Sequence, residues 1–120
     1  MSKRKTVFKY AKDKYGTEPD YLWPQYPGYA ALRHDKDDKW YAIVMDVPKE
    51  KLGMDGEGEI DLIDVKCRPD GIETLQGKKV FLPAYHMNKE HWISILLDGT
   101  VPLEKIYELI DESYDLTKHK

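Results

Sequence analysis

The side chains best equipped for chemistry gather in one short polar run, Tyr85-His86-Met87-Asn88-Lys89-Glu90-His91-Trp92. His86 and His91 stand five residues apart with Glu90 between them, so the two imidazoles could in principle share an ion. A structural zinc site takes four ligands and a catalytic one usually three from the protein, and no further ligand stands at a recognisable spacing. The chain also lacks a Ser-His-Asp order, a phosphate-cradling glycine loop and any paired-carboxylate arrangement that stands out. The reading is non-enzymatic, with no metal and no cofactor. What the run does offer is binding. His86, Asn88 and His91 can hydrogen-bond, Lys89 with Lys78 and Lys79 can meet phosphate, and Tyr85 or an edge of Trp92 can stack on a base. The same side chains also suit a structural duty: His86, Asn88 and His91 can tie loop backbone to neighbouring strands, with Trp92 in the core.

Two other stretches invite a chemical reading and lose it on inspection. Asp55-Gly56-Glu57-Gly58-Glu59 suggests a calcium loop, but an EF-hand takes Gly at its sixth position and Glu at its twelfth, where this chain has Ile60 and Lys66. It is expected to be a mobile acidic hairpin loop. Cys67, the single cysteine, ends a strand-like run from Ile60 in which it shares a face with Ile63 and Val65. Lys66 and Arg68 point the other way, so no base serves the thiol and Cys67 reads as a small core residue.

The elements that must position the polar run are legible from hydrophobic periodicity. Trp92 to Leu97 is an apolar run with one Ser, closed by the turn dipeptide Asp98-Gly99, and it reads as an interior strand that holds the preceding loop rigidly. Trp92, Ser94 and Leu96 share one face and Ile93, Ile95 and Leu97 the other. Residues 3 to 15 predict a helix with Val7, Phe8, Ala11 and Tyr15 on its core stripe, Lys5, Lys9 and Lys12 on a solvated face, and Gly16 as its stop. Thr17 to Pro27, punctuated by Pro19, Pro24 and Pro27, is an ordered connection whose Tyr21, Trp23 and Tyr26 either cap a core or offer a stacking surface. Tyr29 to Arg33 and Lys39 to Asp46 predict an antiparallel hairpin around the solvated turn His34 to Asp38. Pro69 to Leu75 fits a short helix, and Pro102 to Thr117 the clearest helix of all. The last has Leu103, Ile106, Tyr107, Ile110, Tyr114 and Thr117 on one arc and Glu104, Glu108, Asp111, Glu112 and Asp115 on another.

A chain of 120 residues with no low-complexity segment is expected to form one domain over residues 1–120. Nine Tyr, three Trp and two Phe can fill its core, and 34% charged residues supply a soluble surface. One cysteine, no apolar signal segment and no membrane-length run point to a cytoplasmic protein without membrane attachment, as a monomer or small homo-oligomer. The net charge of −3 argues against general affinity for nucleic acid, and the acidic face of the last helix would repel phosphate.

Lys39-Trp40-Tyr41-Ala42, Lys66-Cys67-Arg68-Pro69, the run from Tyr85 to Trp92, Leu97-Asp98-Gly99 and Ser113-Tyr114 together resemble the MmcQ/YjbR family of small bacterial proteins. The resemblance spans about Lys39 to the end and is densest after Lys66. It implies an α+β fold in two layers: an antiparallel sheet with the N-terminal and C-terminal helices packed on one face and a short helix inserted between strands, similar to a frataxin-like or secretion-chaperone-like arrangement. It also implies DNA binding, a label attached to the family for its "double wing" likeness of shape. Two partner classes follow: nucleic acid, held weakly by Lys78, Lys79, Tyr85, His86, Asn88, Lys89, His91 and Trp92, or another protein or peptide, self-association included, anchored by aromatic side chains or an open sheet edge.

Overall fold

Both stretches of helical periodicity wind as expected, α1 over Arg4–Tyr15 and α2 over Leu103–Thr117. The structure is a computed structural model and describes residues 3–34, 39–68, 70–71, 81–85, 87 and 90–118. Between the helices lie five strands: β1 (Ala30–Arg33), β2 (Trp40–Pro48), β3 (Glu59–Lys66), β4 (Phe81–Pro83) and β5 (Trp92–Leu96). They form one antiparallel sheet in the order β1-β2-β3-β5-β4, so β5 is an interior strand paired on both sides. The inserted helix expected at Pro69 to Leu75 falls mostly outside the described residues. The three-residue β4 has no counterpart in the sequence reading, because a short segment ending in Pro83 carries almost no strand signal; proline lacks the N–H of an inner strand and belongs on an edge.

Both helices pack on one face of the sheet. Val7 and Ala11 of α1 and Ile106, Leu109 and Ile110 of α2 are buried against Val44, Ile63, Val65, Ile93 and Ile95. Each such aliphatic side chain contributes about 1.5–3 kcal/mol by leaving water. Gly16 adopts the left-handed φ of 69° that stops α1, its N–H donating to the Lys12 carbonyl at 3.0 Å. The start of α1 is pinned to the sheet, the Lys3 N–H donating to the Leu97 carbonyl at 2.9 Å.

The helices meet through tyrosines rather than through a row of opposite charges. Tyr10 stacks on Tyr107 with centroids 3.9 Å apart, and Tyr15 on Tyr114 at 3.8 Å. The polar tips on the α1 side converge on one carboxylate: Tyr10, Tyr15 and Lys14 donate to Asp111 at 2.8, 2.5 and 2.8 Å.

A bulge ties α2 to the sheet. Leu32 pairs with Ala42 but Arg33 pairs with Trp40, leaving Tyr41 as an extra residue whose ring joins Ala42 and Val44 on the helix side. Just beyond the last β2–β3 pair, Ala42 with Val65, Ser113 of α2 sits between the two strands. The Lys66 N–H donates to Ser113 Oγ at 2.8 Å, and that hydroxyl donates to the Tyr41 carbonyl. His34, read from sequence as the first residue of a solvated turn, is instead 5% exposed. Its Nε2 lies 2.7 Å from Thr117 Oγ1 and its ring 4.2 Å from that of Tyr114, so the end of α2 covers it. The loop after β2 opens with a 3₁₀ turn at Lys49–Leu52 and is closed by the Lys49 N–H donating to the Gly58 carbonyl at 3.0 Å.

Burial pushes the Asp111 carboxyl up, but the hydrogen bonds from Lys14, Tyr15 and Tyr10 outweigh it and hold the group below the usual carboxylate range. A depressed folded value adds stability that is present above the unfolded aspartate value of about 4 and is lost as pH falls through the folded one. Asp111→Asn should therefore lower stability by roughly 1–2 kcal/mol at pH 7. The gap from wild type should close as urea titrations are repeated at successively lower pH below about 4; a gap that does not change with pH would refute the assignment.

Candidate ligand site on the sheet face opposite α1 and α2

Among the described residues, no α-helix covers the opposite face of the sheet. Ile43, Met45, Val47, Leu62 and Leu96 point there and are packed against by Trp23, Tyr85 and Met87 from loops and by Trp40 at the start of β2. The ordered connection after α1 supplies the first of these. It is fixed by an isolated bridge in which Asp20 and Ala31 exchange two backbone hydrogen bonds of 3.0 and 2.9 Å, and by the Arg33–Asp20 ion pair.

Five aromatic rings surround a cavity of about 230 Å³ on this face: Trp23, Tyr26, Tyr29, Trp40 and Tyr85. Ile43, Met45 and Met87 complete its lining. Trp23 stands 70° from Trp40 at 5.3 Å and 69° from Tyr29 at 6.2 Å, whereas Tyr26 and Tyr29 are nearly parallel at 4.7 Å. Burial first, then the neighbouring Tyr85 and Tyr26 hydroxyls and the Asp46 and Glu59 carboxylates, push the Tyr29 phenol up to about 12, so it stays neutral.

A buried polar chain fixes one wall. The Tyr85 N–H donates to Ser94 Oγ at 3.0 Å, and Ser94 donates to the carboxylate of Asp64, a residue of 0% exposure on β3. Asp64 is in register with Ile43 on one side and Ser94 on the other, so it shares their face of the sheet, beside Ile43 of the cavity lining. At the other end of the polar run, the His91 carbonyl accepts from the Cys67 N–H at 2.8 Å, extending the ladder between β3 and β5. Tyr85 and His91 are thereby both attached to the central strands.

Of the residues that the sequence offered for binding, Lys78, Lys79, His86, Asn88 and Lys89 lie outside the described residues. Tyr85, His91 and Trp92 are half-buried, and Tyr85 and Trp92 serve different cavities. Trp92 lines an open groove of about 420 Å³ with Trp40, Lys39, Lys66 and the end of α2. Trp40 lines both cavities. On the helix side, two of the lysines of α1 are paired locally, Lys9 with Asp13 at 2.6 Å and Lys12 with Glu18 at 3.0 Å. Cys67 is 1% exposed, and its thiol is pushed up to about 12 by burial and then by Glu112, which fits the core role expected of it.

Sequence reasoning did not single out Trp40, Tyr29, Asp64 and Ser94 for this site. Ser94 was visible as the one polar residue of the β5 run, and Asp64 as its match in an alternating strand; their pairing depends on a register between strands that no local pattern encodes.

A family model described as YjbR matches residues 12–116. The chain belongs to the YjbR family. It is 52% identical to the uncharacterized protein YyaQ of Bacillus subtilis over 98% of this chain and 100% of that one. A shorter match, 40% identical over 53 residues and 45% of the relative, links it to the uncharacterized protein YjbR of Escherichia coli. A crystal structure of a Pseudomonas syringae protein, 46% identical, superposes with a TM-score of 0.92 over 96% of this chain and 98% of that one. A Deinococcus radiodurans protein described as a DUF419 domain shares the fold at 22% identity, with a TM-score of 0.74 over 100% of this chain and 81% of that one. The family thus has the α+β architecture that the motifs implied, and membership carries no DNA-binding role with it.

Ser94→Ala removes the hydroxyl that links Tyr85 to Asp64 and should lower stability by about 1–3 kcal/mol. The drop would be read as a lower urea midpoint at unchanged slope. An unaltered midpoint would show that this tether does not hold the cavity wall.

Proposed function

We propose that this YjbR-family protein is a non-enzymatic binding module, one domain over residues 1–120 and cytoplasmic, that takes a bulky side chain of a partner polypeptide into the aromatic cavity. The carrying observation is the cavity itself: five rings round about 230 Å³, on the sheet face that α1 and α2 leave open. Aromatic side chains in a concave, largely apolar setting are the usual anchors of an interface. Of the cavity's lining residues Tyr26 is 48% exposed, and Tyr21 and Leu22, which precede Trp23 in the chain, are exposed as well. Capture by strand addition is less favoured, because β1 carries the Asp20 bridge along its outer edge and β4 is short and ends in proline.

The second reading is weak binding of nucleic acid in the open groove, where Lys39 and Lys66 flank Trp40 and Trp92. Cations beside rings are the pattern that stacks bases and meets phosphates. The residues named from sequence, Lys78, Lys79, Tyr85, His86, Asn88, Lys89, His91 and Trp92, belong to this reading through Trp92. Against it stand the net charge of −3 and the locally paired lysines of α1.

Panning a random linear-peptide library on the immobilised protein tests the first reading. Enriched peptides should carry a large side chain and lose at least about tenfold in affinity on Tyr85→Ala or Tyr26→Ala, roughly the loss of one anchor. A library that enriches nothing, or peptides indifferent to both substitutions, would defeat it. Single-stranded DNA that binds at low salt and is released by Lys39→Glu with Lys66→Glu would favour the groove instead.

A further inference from the structure

Tyrosine stacking joins α1 to α2 and leaves the outer charges of both helices for another use. Tyr10 is level with Tyr107 and Tyr15 with Tyr114, so the helices run in the same direction, residue numbers differing by 97 and 99 at matching heights. Lys5, Lys9 and Lys12 are exposed along α1, and Glu104, Glu108, Glu112 and Asp115 along α2. At that offset Lys5 stands level with Glu104 and Lys9 with Glu108, while Lys12 lies within a turn of Glu112. Among the described residues these pairs do not form within the chain. Lys9 and Lys12 lean on Asp13 and Glu18 instead, and Glu108 on Lys105 at 3.9 Å. Between the two rows the Tyr10–Tyr107 stack lines a groove of about 340 Å³.

Two parallel rows of opposite sign are self-complementary. A half-turn about an axis along the groove keeps every height and direction but exchanges left for right, so it lays the α1 row of one copy on the α2 row of another, and the reverse. A purely basic or purely acidic partner would match one row and be repelled by the other. We infer that the outer surface of α1 and α2 is a docking face for a second copy of this chain, related by a two-fold axis. Lys5, Lys9 and Lys12 then meet Glu104, Glu108 and Glu112 of the second copy twice over, around the tyrosine stacks of both, which gives an aromatic middle within a charged rim. The local pairs yield readily, because exposed ion pairs contribute little. Helix α1 has 12 residues, and a patch of its length and two helices wide is about 18 by 20 Å, roughly half the area per side of a standard interface. The dimer is therefore weak, reversible and sensitive to salt. It uses the side of the sheet away from the aromatic cavity, so it is independent of the binding reading above.

Sedimentation velocity on the full chain tests it. The sedimentation coefficient should rise between about 10 μM and about 1 mM protein in low salt. The apparent Kd should weaken at least about tenfold from about 20 mM to about 500 mM NaCl, as the screening length falls from about 20 to about 4 Å. Lys9→Glu and Glu108→Lys sit on side chains 76% and 72% exposed, where folding is not at risk. Each alone sets like charges against each other at two places and should weaken association at least about tenfold. An equimolar mixture of the two single variants matches opposite charges again at both places and should recover most of it, a rescue that no effect within one chain would produce. A chain that stays monomeric at about 1 mM in low salt overturns the face, as does a mixture that associates no better than either variant alone. Self-association that ignores both reversals and is lost on Tyr26→Ala would lie at the cavity instead, and equally overturns it.

Discussion

A sheet has two faces, and this chain has two described helices, both used on the same one. The other face still has to leave water, because Ile43, Met45, Val47, Leu62 and Leu96 alternate onto it from strands whose remaining residues face the helices. Loops must do that work, and loops bring backbone groups that need partners of their own. The Asp20–Ala31 bridge, the Ser94 hydroxyl under Tyr85 and the Cys67–His91 ladder bond are the local answers to that need. An aromatic lining is a natural outcome, since a few large rings cover much area from little backbone.

The helix side solves a different problem with the same residue type. Paired tyrosines stack across α1 and α2, and the hydroxyls of Tyr10 and Tyr15 share Asp111 with Lys14. Ser113 then inserts into the ladder at the Tyr41 bulge, and Thr117 meets His34, so α2 is joined to the sheet by polar contacts as well as by packing. A polar contact at a bulge is directional in a way that aliphatic packing is not. It sets the position of α2 along the sheet.

Much of the architecture could be read from the chain. Trp92 to Leu97 alternates cleanly and forms β5 in the expected facing, and the segregated arcs of the last helix put Ile106 and Ile110 in the core. Local periodicity carries such information because neighbours in sequence decide it. The site was harder. Trp40 and Tyr85 are far apart in sequence and meet only when β2 and the loop before β5 are set side by side, and Asp64 finds Ser94 only through the register of β3 with β5. His34 went astray for the converse reason: its polar neighbours suggested a solvated tip, while its true surroundings come from Thr117 and Tyr114 at the far end of the chain. β4 escaped because three residues, one a proline, are too few for a pattern.

The indole of Trp40 is a party wall, one surface of it turned to the aromatic cavity and another to the lysine-flanked groove. Any guest that tilts the ring for its own comfort reshapes the room next door. Free energies of occupancy on the two sides are then thermodynamically linked, and the linkage runs equally in both directions. A single side chain thereby gives this small fold the means to let one kind of molecule report on the presence of another.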